Sequence, residues 1–157
     1  MQSLGFNYRM TDIQAALGTN QAKKIDAFLN KRKAIAHQYT EAFQNFDLLT
    51  TPFQLDDIES SWHLYIVRLH LNRLTVGRTE IFQALQKENI GVNVHYIPVY
   101  YHPYYQKMGY KKGICPHAEL LYEEMITLPL FPKMTNQDVN DVIEAVKKVL
   151  RHYEVKT

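Results

Sequence analysis

The sequence predicts an α+β fold: a small sheet covered by helices, with a long helix on its N-terminal side. Three observations carry this. Val139, Val142, Ile143, Val146, Val149 and Leu150 recur at helical spacing near the C-terminal end. In "WHLYIVRLHL", Tyr65, Val67, Leu69 and Leu71 alternate with Arg68 and His70 on the other side, the period of a half-buried strand. The order along the chain is helix, strand, helix, strand, helix, short strand, helix, with no repeat, low-complexity tract or linker. Residues 1–157 are therefore expected to form one domain, 1–46 a connecting helical segment and 47–157 the small α+β unit.

Each element has its own signal. Thr11 followed by Gln14 is a capping box, so a helix should start at Asp12. Ile13, Ala16 and Leu17 begin its apolar stripe, and Gly18 is expected to bend or interrupt it. Ile25, Phe28, Leu29, Ile35, Ala36, Tyr39 and Phe43 continue the spacing, giving one long helix or two in line. Asp47 to Ser61 reads as a loop before the strand. A helix follows over Val76 to Glu88 with Ile81, Phe82 and Leu85 inward, stopping before Gly91. "VNVHY" reads as a short strand with Val92, Val94 and Tyr96 on one side and Asn93 and His95 on the other. Pro98 to Gly113 is rich in Tyr, Pro and Gly and should be irregular, with a helical turn around Tyr104. Pro116 starts a helix through Met125, "ITLPLF" is a short strand ended by Pro, and Thr135 caps the last helix.

Composition removes several function classes. Eighteen Lys/Arg against sixteen Asp/Glu leave a net charge of +2, too weak a field to hold nucleic acid or an anionic membrane. No apolar run reaches the ~18 residues of a membrane span, and the first residues lack a signal-peptide layout. The single cysteine, Cys115, excludes an internal disulfide framework and is expected to be structural; the default compartment is cytoplasmic. Seven histidines form no H-x-x-x-H or H-E-x-x-H pair, so no metal site is expected. The basic runs Lys31-Arg32-Lys33 and Lys147-Lys148 sit among acids and read as solvated helix faces.

The ligand chemistry concentrates in "GFNYRM", where an amide and a cation alternate with aromatics directly before a helix. "GFNYRMTDIQAALG", "KKIDAFLNKRKAIAHQY", "SSWHLYIVRL", "NIGVNVHYIPVYYHPYY" and "ITLPLFPKMT" together resemble, in order and spacing, blocks of the DegT/DnrJ/EryC1/StrS family of sugar aminotransferases. The resemblance covers essentially the whole chain. It implies the small C-terminal domain of a fold-type I enzyme that uses pyridoxal 5'-phosphate (PLP). The activity it implies is transfer of an amino group from glutamate to a 4-keto-6-deoxy nucleotide sugar. "VHYIPVYYHPYYQKMGY" most resembles the pseudaminic-acid branch, which aminates UDP-4-keto-6-deoxy-N-acetylhexosamines.

In the family the lysine that bonds PLP lies before the "GFNYRM" block, and four residues precede that block here. The Lys-bearing large domain is thus expected to be absent from this chain, and none of its twelve lysines matches the family position. The chain alone should be inactive and bind no PLP. Its implied partners are a second copy or the Lys-bearing half, with nucleotide sugar and glutamate as substrates of the complete enzyme.

By the same resemblance Asn7 reaches the PLP phosphate of a dimer partner, Arg9 lies near that phosphate or the nucleotide diphosphate, and Tyr8 is a substrate-binding residue. The plainer alternative is that these residues order the start of the first helix. His95 and Tyr96 are implied to line the substrate end, and His63 to face the cleft, unless it only bonds locally. Six of the eleven tyrosines lie between Tyr96 and Tyr110, and aromatic faces with hydroxyl tips suit a sugar and a uracil. Half of them, Tyr104 and Tyr105 among them, are expected instead in the core or an interface. Two other functions compete: a non-catalytic remnant or interaction domain of the same family, and a small nucleic-acid-binding helical protein resting only on a pI near 8.5.

Overall fold

A computed structural model describes residues 5–6 and 8–156. Six helices run α1 Asp12–Ala22, α2 Ile25–Phe43, α3 Arg78–Lys87, α4 Pro103–Lys107, α5 Pro116–Glu124 and α6 Asn136–His152. Three strands, β1 Leu49–Thr50, β2 Tyr65–Leu69 and β3 Met125–Leu128, form an antiparallel sheet in that order. The α+β expectation holds.

The sheet has one apolar face. Tyr65, Val67 and Leu69 of β2 are buried beside Ile126 and Leu128 of β3, with Tyr65 opposite Leu128 and Val67 opposite Ile126. On that face α6 lays down Val139, Val142, Ile143, Val146, Val149 and Leu150, all buried as their spacing predicts. At roughly 1.5–3 kcal/mol for each fully buried aliphatic side chain, this helix is the main wall of the core. Its start is fixed by a capping box in which Thr135 and Asp138 satisfy each other's backbone amides. α2 closes the core with Ile35, Ala36, Tyr39 and Phe43, and the Tyr39 ring packs 5.1 Å from that of Tyr65.

Several expectations are corrected. Gly18 does not interrupt α1; the chain breaks at Lys23 and Lys24, and nothing packs within 4 Å of where a Cβ on Gly18 would lie. The capping box at Thr11 and Gln14 is present as predicted, yet none of the α1 residues is buried: Ile13 is 76% exposed and Leu17 62%. β1 lies inside the segment expected to be loop, because Leu49 and Thr50 pair with Leu69 and Arg68. α3 begins at Arg78, and Leu71 belongs to a 3-10 turn, so β2 ends at Leu69. α5 runs straight into β3, which takes Met125 and stops at Pro129.

"VNVHY" is not a strand. Asn93 makes a single antiparallel bridge to Thr127, on the edge of β3 away from β2. Val92 is buried, but Tyr96, expected on the same side, is 69% exposed. One bridged residue does not hold the alternation for the rest of the segment.

Candidate functional site

Asn7 lies outside the described residues. Next to it Phe6 and Tyr8 are almost fully exposed, their rings stacked with centroids 5.8 Å apart, and Arg9 is exposed as well. The α1 cap is made by Thr11 and Gln14, whose side chains each accept from the other's backbone N–H at 3.3 and 3.0 Å. The helix start therefore uses neither Tyr8 nor Arg9, which present an aromatic ring and a permanent cation on an open edge.

His95 is placed by β3. The Asn93 N–H donates to the Thr127 carbonyl at 3.1 Å and the Thr127 N–H donates back at 2.8 Å. Two residues on, His95 Nδ1 lies 3.0 Å from Thr127 Oγ1 in a half-buried contact. Thr127 is buried within the sheet, so its hydroxyl fixes the imidazole plane and leaves Nε2 for a ligand. Tyr96 packs edge-on against that ring at 4.6 Å and turns outward.

His63 sits two residues before β2 with its side chain exposed. Its main chain is tightly held: Arg32 Nη1 of α2 donates to the carbonyls of Trp62, His63 and Leu130 at 3.1, 3.2 and 3.1 Å. Leu130 follows β3, so Arg32 holds the His63 main chain beside the chain leaving β3, whereas His95 lies against Thr127 on the edge of β3 away from β2. Arg32 is thus not part of a solvated face, as its basic run suggested. The described contacts do not bring Tyr8 and Arg9 to either histidine.

The tyrosine segment is largely an internal support. The Glu119 carboxylate in α5 is buried and accepts from the Tyr100 hydroxyl at 2.9 Å and the Gly113 N–H at 2.6 Å. Gly113 sits at φ 97°, a conformation glycine adopts without steric cost. Desolvation works to raise the Glu119 pKa, but the Gly113 amide, the neighbouring Tyr100 and Tyr101 hydroxyls and the Lys112 charge outweigh it and hold it below the usual range. The Tyr101 ring lies edge-on to Tyr122, over which the Arg78 guanidinium stacks at 4.5 Å. Tyr104, expected in the core or an interface, is 69% exposed, and Tyr105 is half-buried. Cys115, read as structural, is exposed; its carbonyl rather than its thiol faces the Tyr100 hydroxyl, at 3.4 Å.

Sequence reasoning missed Arg32, Thr127 and Glu119. Their partners lie six to 98 residues away and leave no local pattern. Among the described residues no cluster of His, Cys, Asp and Glu suits a metal, and no helix is long and apolar enough to cross a membrane. Two open concavities of about 700 and 680 Å³ flank α6 and α2, and among the described residues none of the expected site residues lines either.

The model of the DegT/DnrJ/EryC1/StrS aminotransferase family matches residues 1–147. The spore coat polysaccharide biosynthesis protein SpsC of Bacillus subtilis is 44% identical over 153 residues, 96% of this chain and 39% of SpsC. Among solved structures, Spr1654 of Streptococcus pneumoniae, assigned as a sugar aminotransferase, in its PLP form superposes with a TM-score of 0.85 at 34% identity, over 92% of this chain and 36% of that one. PseC of Helicobacter pylori, an aminotransferase in the biosynthesis of pseudaminic acid, gives 0.86 at 30% identity, over 97% and 40%. The chain spans about two fifths of the length of these relatives.

Proposed function

This chain belongs to the DegT/DnrJ/EryC1/StrS aminotransferase family, and we propose that it forms the C-terminal part of an enzyme that moves an amino group from glutamate to a 4-keto-6-deoxy nucleotide sugar. The observation that carries the reading is a set of ligand-suited side chains spread over an open surface, with nothing to enclose them. Tyr8 and Arg9 stand on an uncovered edge, and His95 offers one ring nitrogen beside an exposed Tyr96. Such an arrangement fits one wall of a site completed by another domain or a second copy.

The residues fit a phosphate better than a covalent cofactor anchor. None of the twelve lysines is buried, whereas a lysine that bonds PLP needs a desolvated pocket to lower its pKa. When bound, PLP supplies the electron sink that lets the amino group change carriers. In this proposal Arg9 gives its phosphate or the nucleotide diphosphate a permanent planar cation, and Asn7 a neutral amide donor. Tyr8, Tyr96, His63 and His95, the last oriented by Thr127, contact the nucleotide sugar. In this reading the lysine that bonds PLP belongs to the Lys-bearing large domain, and activity needs that domain together with this chain. Residues 1–46 are then the connecting segment and 47–157 the small domain, onto whose core the α2 part of that segment packs.

The likeness to PseC and the tyrosine-rich segment favour a UDP-linked 4-keto-6-deoxy-N-acetylhexosamine as the acceptor, and the enzyme is a cytoplasmic homodimer in this reading. The competing reading is a non-catalytic interaction domain. The two separate on mixing: the purified chain is titrated with PLP with and without the Lys-bearing N-terminal half of a homologue, and glutamate-dependent loss of cofactor absorbance is followed. A response only in the mixture supports the aminotransferase part. No response in either favours the interaction domain, and a response from the chain alone overturns the assignment of the lysine.

A further inference from the structure

Arg32 lies in a run of three cations on α2, but its surroundings differ from theirs. Lys33, half-buried like Arg32, pairs with the exposed Glu59, whereas Arg32 aims Nη1 at three carbonyl oxygens from two distant segments. Three convergent carbonyls repel one another unless a cation sits among them, and bonds from a guanidinium are stronger than neutral ones. Next to it, the Tyr39 hydroxyl of the same helix donates to the Pro129 carbonyl at 2.8 Å. α2 therefore ties the 62–63 turn to the chain leaving β3.

The turn it ties is strained. Trp62 has φ 49°, in the left-handed region that bulky residues avoid. Its N–H donates to Ser60 Oγ at 3.1 Å and its ring packs 5.7 Å from Tyr65. A turn of this kind persists only where its surroundings over-determine it, and such turns gather at ligand sites. What it presents is His63, whose backbone is held and whose imidazole is exposed.

We propose that Arg32 is a positioning residue: by gripping the Trp62 and His63 carbonyls against the end of β3, it aims the His63 imidazole at the nucleotide sugar. This rests on the placement of His63 at the substrate end proposed above. The arginine suits the task because its planar fork is charged at every working pH and reaches across from α2. Lysine keeps the charge and three donors on a different head group, so it should replace arginine in part.

The test uses the isotopically labelled full chain and its Arg32→Gln and Arg32→Lys variants. In R32Q the Trp62 indole and His63 Cε1–H resonances should shift, and amide exchange at Trp62 and His63 should quicken by about tenfold or more as the turn opens locally. The His95 and α6 signals should stay in place, and R32K should recover part of the loss. Unchanged Trp62 and His63 signals, or equal changes throughout the chain in both variants, overturn the proposal.

A second arm separates this proposal from the function it rests on. The chain is combined with the Lys-bearing half of a homologue, and KM for a UDP-4-keto-6-deoxy-N-acetylhexosamine is measured. His63→Ala and R32Q should each raise KM about tenfold with kcat little changed, and the double variant should be no worse than H63A, because coupled residues are not additive. Additive losses overturn the role of Arg32. An unaltered KM in H63A overturns the assignment of His63 whatever the resonances show, and an H63A defect with unmoved resonances in R32Q overturns the role of Arg32 alone.

Discussion

The Tyr100 hydroxyl and the Gly113 N–H donate to the same oxygen of Glu119, at 2.9 and 2.6 Å. One carboxylate in α5 thereby fastens both ends of an aromatic segment that has little regular structure of its own. Its exposed members, Tyr96, Tyr104 and Tyr110, are displayed from a support made by Tyr100, Tyr101 and Glu119.

That support should fail at both extremes of pH. The Glu119 pKa is lowered in the fold, so its contribution is full above the ordinary value of 4.5 and is lost as pH falls below it. The Tyr100 pKa is raised from 10.0 to about 12 by desolvation and then by the Glu119 bond and charge, so its contribution is full below 10.0 and is lost as pH climbs toward 12. Near-ultraviolet circular dichroism of the tyrosines should show a plateau between these limits. Glu119→Gln should remove the acid limb; an acid limb of unchanged midpoint in E119Q would refute the assignment.

Two threonine capping boxes should have unequal consequences. Thr135→Ala removes the cap of the helix that walls the core and should lower unfolding free energy by about 1 kcal/mol. Thr11→Ala deletes the same bond from α1, which buries nothing, and should leave the urea midpoint unchanged while reducing helicity. Equal midpoint shifts in the two variants would show that α1 packs in solution after all.

The uncovered face of α1 leads to a third expectation. An isolated helix of eleven residues is marginal in water, and Ile13, Leu17, Phe6 and Tyr8 all stand in solvent. The chain by itself should self-associate at micromolar concentration by light scattering. Ile13→Lys with Leu17→Lys should weaken that association without altering the core. A monodisperse monomer across the concentration range would rule out this surface as the contact.

What was legible in the sequence follows the range of the interactions. α6 and the inward face of β2 were readable because their burial is written in local periodicity, and the Thr11–Gln14 capping box and the Thr135 cap because their bonds span three residues. β1 was not, since a two-residue strand has no period and exists only through Leu69 and Arg68. The alternation in "VNVHY" is present in the sequence but not in the fold, because Asn93 alone bridges to Thr127. His63 and His95 could be named from resemblance, whereas Arg32 and Thr127, which hold them, could not: their bonds cross 30 to 98 residues.

Thr127 offers the sharpest test of the site. Its hydroxyl is the contact that fixes His95, and valine has its shape without the oxygen. Thr127→Val should therefore keep β3 and the Asn93 bridge, whose bonds are main-chain, and release Nδ1. Loss of one such hydrogen bond corresponds to about 0.5–1.5 kcal/mol, so with the Lys-bearing half supplied, kcat/KM should fall about two- to thirteenfold. His95→Ala should cost more, and adding T127V to it should cost nothing further, because the hydroxyl then has no ring to orient. Losses that multiply in the double variant would mean that Thr127 acts on the sheet and not through His95.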